Sequence, residues 1–265
     1  MQDDLNLEEI YVLGTNCVDN SPTPQAAQRF IQQGVQISPS EQVLGYEFMQ
    51  DFRVHVKTSD GYKTRPYFSL PGTIAGPSIA TSCLACFDYT NGLADVVVGY
   101  MGAPLDSDKR MDESYQTLTL RNSRGSKMVE TAVKANRLHI GDIATGRGSH
   151  EQLASATVAS DGIVQSMIGG NVPEQGMPVW AGEILAFVMR NYVGPKGVNF
   201  ARYSIDYHIL RNYLHVLKEW GEERANQTMP QFAREIVESY LNSSDETMKT
   251  LKSQILQDTT GTRLS

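Results

Sequence analysis

The chain has 265 residues and a mass of 29.3 kDa, which is enough to bury the core of one large domain or two small ones. Its net charge is −7, and the absence of a basic tract argues against nucleic acid as a main partner. No run of about 18 uncharged apolar residues predicts a transmembrane helix, and the acidic first nine residues do not predict a secretory or organelle presequence.

The first half of the chain has alternating strand and helix patterns. Short runs rich in β-branched and aromatic residues predict strands at 10–15, 52–57, 62–68, 94–99 and 117–120. The second and third of these flank the turn sequence TSDG and predict a β-hairpin, on which His55 is expected to face solvent. Ser21 and Pro22 predict the start of a helix that ends at Gly34, and another helix is predicted at about 126–136.

The second half is predicted to be mainly helical. Residues 144–176 are rich in Gly, Ser and Ala and predict a long loop with short elements. Helices are predicted at about 180–192 and 199–220, after Pro230 with Phe232, Ile236 and Tyr240 in line, and after a capping box at 243–246. Apolar residues surround most of the first of these helices, which favours core packing over contact with a membrane or pigment.

The order of these elements predicts an α/β (α+β) fold. Its N-terminal part, residues 1–136, is expected to contain a mixed sheet and the β-hairpin. A loop-rich insertion is expected at 137–177, and a helical C-terminal segment at 178–265. No internal repeat is visible in the sequence.

Three cysteines, Cys17, Cys83 and Cys86, carry the strongest chemical signal. Their odd number argues against a disulfide framework and indicates a reducing compartment. Cys83 and Cys86 form C-x-x-C, a spacing that lets two thiolates reach one metal or cluster. Two buried apolar residues without chemistry, or thioredoxin-like exchange, are the alternatives. Zinc and 4Fe–4S sites take four ligands, so one ligand is missing, supplied by a histidine, or carried by residues outside this chain.

Several segments resemble one known family of redox proteins. They are YVLGTNCVDN (11–20), YEFMQD (46–51), PYFSLP (66–71), SCLACFDYTN (82–91), GPKG (194–197) and FARYSIDYH (200–208). They are similar to the coenzyme F-420 hydrogenase/dehydrogenase beta-subunit family, and the last segment to its chlorophyll branch. The resemblance covers most of residues 5–240 and is weak at 137–177 and beyond 243. Family members carry a further cysteine-rich region upstream, so the chain is expected to be incomplete relative to the family.

The resemblance implies an iron–sulfur flavoprotein reductase with FAD and 4Fe–4S clusters that takes electrons from reduced ferredoxin. Cys17, Cys83 and Cys86 would bind one cluster, with the fourth ligand upstream. The implied reaction is reduction of the 8-vinyl group of 3,8-divinyl (proto)chlorophyllide a, with reduction of 7-hydroxymethyl chlorophyll a as the alternative. A truncated, non-catalytic cluster-binding fragment and a zinc protein are further alternatives. The implied location is either the chloroplast, in the stroma or at the thylakoid, or the cytoplasm of a cyanobacterium. The protein is also a possible homo-oligomer.

Both reductions need a proton donor near the reacting group. Asp206 and His208 are the candidate catalytic residues, because both lie in the segment that resembles the chlorophyll branch. The alternative for Asp206 is an exposed ion pair with Arg202 on the polar face of the helix. The alternative for His208 is a structural histidine at a helix contact. Asp88 and Tyr89, next to the cysteine turn, are further candidates.

FAD would need donors for its pyrophosphate and space for its ring. The chain has no G-x-G-x-x-G fingerprint. Arg121 and Arg124 lie between a predicted strand and a helix start, where they either bind phosphate or form an exposed turn. Gly99 and Gly102 follow a buried strand, where they either admit a planar ring or form a simple strand-end turn. The resemblance favours flavin binding at Gly99 and Gly102, and the two interpretations of Arg121 and Arg124 stay open.

Overall fold

A computed structural model describes residues 8–104, 109, 113–141, 148 and 150–262. Its strands are β1 (Leu13–Thr15), β2 (Val43–Met49), β3 (Arg53–Thr58), β4 (Gly61–Pro66), β5 (Val96–Gly99) and β6 (Thr117–Leu120). Its helices are α1 (Pro24–Arg29), α2 (Gly72–Ala75), α3 (Ser123–Lys134), α4 (Glu151–Ser160), α5 (Gly162–Met167), α6 (Val179–Val188), α7 (Val198–Trp220), α8 (Glu222–Thr228), α9 (Gln231–Leu241) and α10 (Thr247–Thr262). Two small sheets followed by helices confirm the α/β class.

The first sheet has the order β1-β5-β6 and is mixed, as the sequence predicts. β5 runs parallel to β1, with Leu13 opposite Val96, and antiparallel to β6, with Val96 opposite Leu120. Val96 and Val97 of the central strand are buried. The apolar run at 10–15 also predicts that this strand is buried, but Leu13 is exposed on β1, which lies at the edge of the sheet, so this prediction is wrong in its burial.

The second sheet is the antiparallel order β2-β3-β4, and it contains the predicted hairpin. Val54 and Val56 of β3 point to one face, because alternate side chains of a strand share a face. They pack there with Phe30 and Ile31 in a separate core cluster. The sequence pattern does not predict β2, because its residues do not alternate cleanly between apolar and polar types. In the structure several of its apolar side chains are exposed.

The first helix begins and ends later than the sequence predicts. Thr23 is its N-cap and accepts a hydrogen bond from the backbone N–H of Ala26 at 3.1 Å, so Pro24 rather than Pro22 occupies the first turn. A π-helical turn, Phe30–Val35, extends α1, and the chain leaves it at Gln36, which has a φ of 65°. Gly34 therefore lies inside the helical segment rather than at its end.

Helices occupy much of the segment that the sequence predicts to be a loop. α4 and α5 lie within 144–176, and they bury Ala154, Val158 and Val164 in the helical core, so the loop prediction is wrong there. Asp161 starts α5 by accepting hydrogen bonds from two backbone N–H groups. The Ala- and Ser-rich composition reflects close helix packing, since small side chains let helices approach. Residues 142–147 and 149 of the predicted insertion lie outside the described residues.

α7 is the central helix of the larger core. Its buried leucines, Leu210, Leu214 and Leu217, pack among residues of α4, α5, α8, α9 and α10. Phe87 and Tyr89, which follow the cysteine turn, belong to the same cluster. The core therefore joins residues from all three predicted segments, and it places the middle of α7 against the cysteine turn.

α6 confirms the predicted helix at 180–192 but not its burial. Gly182 faces Ser69 and Pro66, so this side of the helix packs on the second sheet. The other side is exposed, with Trp180 71% accessible and Phe187 and Tyr192 also exposed. The expectation of core packing is therefore wrong for most of its apolar side chains. Within the described part of the chain, no helix has both the length and the apolar character to cross a membrane.

The last helices differ from the predictions in detail. The sequence pattern does not predict α8. The predicted apolar face of α9 consists of Phe232, Ile236 and Tyr240. In the structure Ala233, Val237 and Tyr240 are buried and Phe232 is exposed, so the buried face begins one residue later than predicted. α10 begins after Asp245, which accepts hydrogen bonds from the backbone and side chain of Thr247, so the predicted capping box does not form.

Candidate functional site

The two cysteine segments meet beside the carboxyl ends of β1 and β5. Asn16 donates its backbone N–H to Val98 at 3.0 Å, and Cys17 donates its own to Tyr89 at 3.2 Å. The C-x-x-C pair is held by a short 3-10 turn, in which the N–H of Cys86 reaches the carbonyl of Cys83 at 3.2 Å. Ligands bind at this edge in open α/β sheets. The fold therefore brings together the residues that the sequence singled out as metal ligands.

All three thiols are free, and those of Cys17 and Cys86 are exposed. Partial desolvation raises the pKa of Cys17, and the nearby thiols of Cys83 and Cys86 raise it further. A 4Fe–4S cluster takes four thiolate ligands, and these three free thiols could provide three of them. The chain has no fourth cysteine.

A single-ion site is not formed by the residues that the structure describes. They include no group of three or more His, Cys, Asp or Glu side chains arranged to hold one metal ion. Zinc needs its ligands about 2.0–2.3 Å from one ion, whereas a cluster of four iron atoms accepts ligands that are farther apart. The zinc alternative therefore receives no support from this geometry.

An ion pair between the buried Arg211 and the half-buried Asp19 connects α7 with the Cys17 segment. The Arg211 guanidinium donates to both carboxylate oxygens of Asp19, at 2.9 and 2.7 Å. Burial disfavours ionisation of Asp19, but the nearby His208 imidazole and the two hydrogen bonds from Arg211 outweigh it and lower the pKa of this carboxyl to about 2. Asp19 is therefore a carboxylate at neutral pH, and the pair is charged on both sides.

The next residue of α7 holds the other cysteine segment. The side-chain amide of Asn212 donates to the carbonyl of Cys83 at 2.7 Å and to the carbonyl of Cys86 at 2.8 Å. Its oxygen accepts from Arg211 at 3.1 Å. Guanidinium only donates and a carbonyl only accepts, so these partners determine the orientation of the amide.

His208 lies in the same place. Its Nδ1 is 2.6 Å from the carbonyl of Ser204, and because a carbonyl only accepts, Nδ1 carries a proton. Its Nε2 is 3.6 Å from Asp19. Tyr89 donates its hydroxyl to the backbone carbonyl of His208 at 3.1 Å. The structure thus places this candidate beside the Cys17 segment, and its catalytic role stays a prediction.

Asp206 lies in a different network. It accepts a hydrogen bond from Tyr240 at 2.7 Å and is 2.8 Å from Nε2 of His150. The alternative interpretation, an exposed partner of Arg202, does not describe this carboxylate, which is largely buried between α4, α7 and α9. Asp88, the further candidate, accepts from the backbone N–H of Gly92 and shapes a turn.

The two arginines predicted to bind the FAD phosphates already have protein partners. Arg124 donates to Asp95 at 2.9 and 3.1 Å, and Arg121 donates to the carbonyl of Thr90 at 2.5 Å. Arg124 is still 56% exposed, and Arg121 is also at the surface, so N–H groups of both can face solvent. Asn122 caps α3 between them through the N–H of Gly125. Phosphate binding here stays a prediction.

The two glycines have protein neighbours rather than an open face. A Cβ on Gly99 would collide with Oδ1 of Asn16, so the Asn16 side chain occupies the space predicted for a ring. Gly102 has a φ of +81° and lies against the start of α7 near Gly197. Gly99 is favoured by the close approach of the Asn16 side chain, and Gly102 by its positive φ. Neither forms a ready cradle for flavin in this structure, and their role in FAD binding stays a prediction.

The sequence analysis missed Arg211 and Asn212, which join these parts. Together with Ser204 and His208 they recur at helical spacing and form a buried polar stripe on α7, and this pattern is readable in the sequence. His55 was expected to face solvent, but it is half-buried and 2.8 Å from Asp51, so that expectation is wrong. Its partner comes from a turn that periodicity does not reveal.

Comparison with known proteins identifies the family. Residues 1–145 match the model of the C terminus of the beta subunit in the coenzyme F420 hydrogenase/dehydrogenase family. The chain belongs to this family. A rice protein (Oryza sativa subsp. japonica) named 7-hydroxymethyl chlorophyll a reductase, chloroplastic, is 45% identical over 237 residues, which cover 89% of this chain and 48% of that protein. These matches confirm the resemblance to the family and to its chlorophyll branch.

One further relative and one solved structure were also found by comparison. An uncharacterised protein of the cyanobacterium Nostoc is 39% identical over 241 residues, covering 89% of this chain and 53% of its own length. A chain of the F420-reducing [NiFe] hydrogenase complex from Methanosarcina barkeri overlaps with a TM-score of 0.41 at 17% identity, covering 67% of this chain and 60% of that one. The chain spans about half the length of the curated relatives it matches.

Proposed function

We propose that this chain is the cluster-binding part of a reductase that acts on a chlorophyll-type tetrapyrrole, with the 7-hydroxymethyl group as its substrate. The observation that carries the proposal is the 45% identity over 237 residues to the rice protein of that name. The sequence interpretation put the 8-vinyl group first, and this relative favours its alternative. The chloroplast relative and the cyanobacterial relative support a location in one of those two settings.

The reaction consumes two electrons and two protons. A hydroxymethyl group becomes a methyl group, and the hydroxyl leaves as water once it is protonated. When bound, the 4Fe–4S cluster and FAD would take single electrons from reduced ferredoxin and supply them as a pair. Ferredoxin, FAD and the cluster are part of the proposal, as is the tetrapyrrole.

Three residues of this chain would hold the cluster: Cys17, Cys83 and Cys86. Their role is supported by their convergence at one surface and by the absence of disulfides among them. Thiols bind iron as thiolates, so cluster binding would release their protons. The raised pKa of Cys17 means that this proton is held more tightly than usual until iron is present.

His208 is our first candidate for the proton donor. Its position beside Asp19, two residues from Cys17, supports this choice. Asp206 is the second candidate, and its engagement with His150 and Tyr240 argues for a structural role instead. Substitution of His208 by Gln is expected to slow reduction without loss of iron, because no iron ligand is removed.

The test is an anaerobic assay of two proteins, the 265-residue chain and the full product of its gene. We expect the full product to contain iron, sulfide and FAD and to reduce 7-hydroxymethyl chlorophyll a when reduced ferredoxin is supplied. Preference for 3,8-divinyl chlorophyllide a would overturn the substrate. A colourless product with stoichiometric zinc, or a full product without iron, would overturn the reductase proposal.

A further inference from the structure

We propose that Arg211 and Asn212, here called the α7 brace, position the three cysteines for a shared inorganic ligand of the iron–sulfur class. Both are positioning residues, since they contact the cysteine segments rather than the ligand. The inference rests on the proposed function only for the identity of the ligand. The brace itself is a property of this chain, and it can be measured without iron.

The Asn212 amide holds the cysteine turn against α7. This side chain is fully buried, with 0% exposure, and each of its two N–H hydrogens has its own carbonyl acceptor. The acceptors belong to Cys83 and Cys86, the first and last residues of C-x-x-C. One amide thus spans the whole turn and holds its two ends from α7, and the Cys83 thiol lies 3.9 Å from the carbonyl of Asn20 in the Cys17 segment.

The Arg211 guanidinium, which is 1% exposed, holds the segment that carries Cys17. It makes two hydrogen bonds to Asp19 and two to the oxygen of Asn212. Its link to Asp19 restrains the segment that carries Cys17. A buried charge that loses its partner is strongly unfavourable, so this pairing is difficult to exchange for solvent.

Together the two residues connect segments that are 66 positions apart in the chain, from Cys17 to Cys83. Local bonds hold the C-x-x-C turn by itself, as the hydrogen bond from Cys86 to Cys83 shows. Two backbone bonds also join the segments, from Cys17 to Tyr89 and from Ala80 to Asn20. The brace adds a charged, buried link that comes from a third element, and this link can be removed by substitution.

The test measures how closely the cysteines approach in the cluster-free, reduced chain. A short bis-maleimide reagent is applied anaerobically, and the linked peptides are quantified by mass spectrometry. We expect Arg211→Met to lower the yield of links from Cys17 to the C-x-x-C pair by about tenfold, in line with the loss of hydrogen bonds to a charged group. The Cys83–Cys86 link should remain, because the turn is held locally.

Asp19→Asn removes the negative charge and one of the two acceptors of Arg211, so it weakens the same link and should change the yields in the same direction if Arg211→Met fails to fold. Asn212→Asp places a carboxylate against two carbonyl oxygens and should lower all three yields. Tyr240→Phe is the matched control, because it removes one buried hydrogen bond on another face of α7. Circular dichroism shows whether each variant is folded.

The second arm measures iron and sulfide in the full gene product after reconstitution. The brace variants should bind less than half the iron of the parent, and Tyr240→Phe should bind as much. Folded variants with cross-link yields and iron contents equal to those of the parent would overturn the inference while leaving the proposed function intact. A parent that binds no iron would overturn the proposed function, and the cross-linking arm would still test the brace.

Discussion

Asp95 shows how one buried carboxylate can organise the start of a sheet and a helix. It is fully buried, and it accepts hydrogen bonds from the backbone N–H of Val12, the amide of Asn122 and the guanidinium of Arg124. The Val12 N–H, followed by Asn122 and Arg124, lowers the pKa of this carboxyl. The same residue thus ties β1, β5 and α3 together.

The lowered pKa predicts a pH dependence of stability. An unfolded aspartate titrates near 3.9, so the contribution of Asp95 is complete above about pH 4 and is lost as the pH falls toward its lower folded value. We expect the free energy of unfolding to fall more steeply below pH 4 in the parent than in Asp95→Asn. Urea unfolding between pH 3 and pH 6 measures both slopes, and equal slopes would contradict the assignment.

At the scale of elements, α4 and α5 change the interpretation of the middle of the chain. Ala154 and Val158 of α4 pack against α7 in the larger core, although the surrounding sequence has the composition of a loop. Val158 is fully buried, whereas Gln152 of the same helix is exposed. A helix that contributes to the core must contribute to stability, and a surface loop would not.

This packing can be tested with a matched pair of substitutions in α4. Val158→Ala is expected to lower the free energy of unfolding by about 2 kcal/mol, because it removes buried methyl groups and leaves a cavity. Gln152→Ala should change it by less than about 0.5 kcal/mol. Both values come from urea denaturation, and a similar small change for both would mean that α4 is not part of the core.

At the scale of the whole molecule, many buried apolar side chains form two clusters, whereas one side of α6 exposes several large apolar side chains. The larger cluster surrounds α7, and the smaller one lies between β3 and the segment that contains Phe30. The outer side of α6 belongs to neither cluster and remains accessible in the chain by itself. Hydrophobicity alone therefore does not identify what is core in this protein.

Two isoleucines separate the contributions of core and surface. Ile209 of α7 is fully buried, and Ile184 of α6 is exposed. Ile209→Ala should lower the free energy of unfolding by about 2–5 kcal/mol, and Ile184→Ala should change it by less than about 0.5 kcal/mol. Thermal and urea unfolding of both variants provide the comparison. A large loss for Ile184→Ala would show that the outer side of α6 is packed.

The site was only partly accessible to sequence reasoning. C-x-x-C and the strand before Cys17 are local patterns, which place Cys17 at a sheet edge, whereas the convergence of the three cysteines was implied only by the resemblance to the family. The partners of Asp206 and His55 could not, because they come from segments far away in the chain or from a turn. The polar stripe on α7 was readable, but the sequence does not show which residues it faces.

Local sequence is enough to establish the hairpin, the long helix α7, the cysteine spacing and the family, because each depends on residues that are neighbours along the chain or on a run of shared motifs. The three-dimensional packing was needed to show that Ala-rich helices fill the core while the aromatic residues of α6 lie outside it. It was also needed to show that Arg211 and Asn212 face the cysteine segments. Whether a side chain is buried depends on which other element packs against it. That element is often distant in the sequence, so local composition does not determine burial.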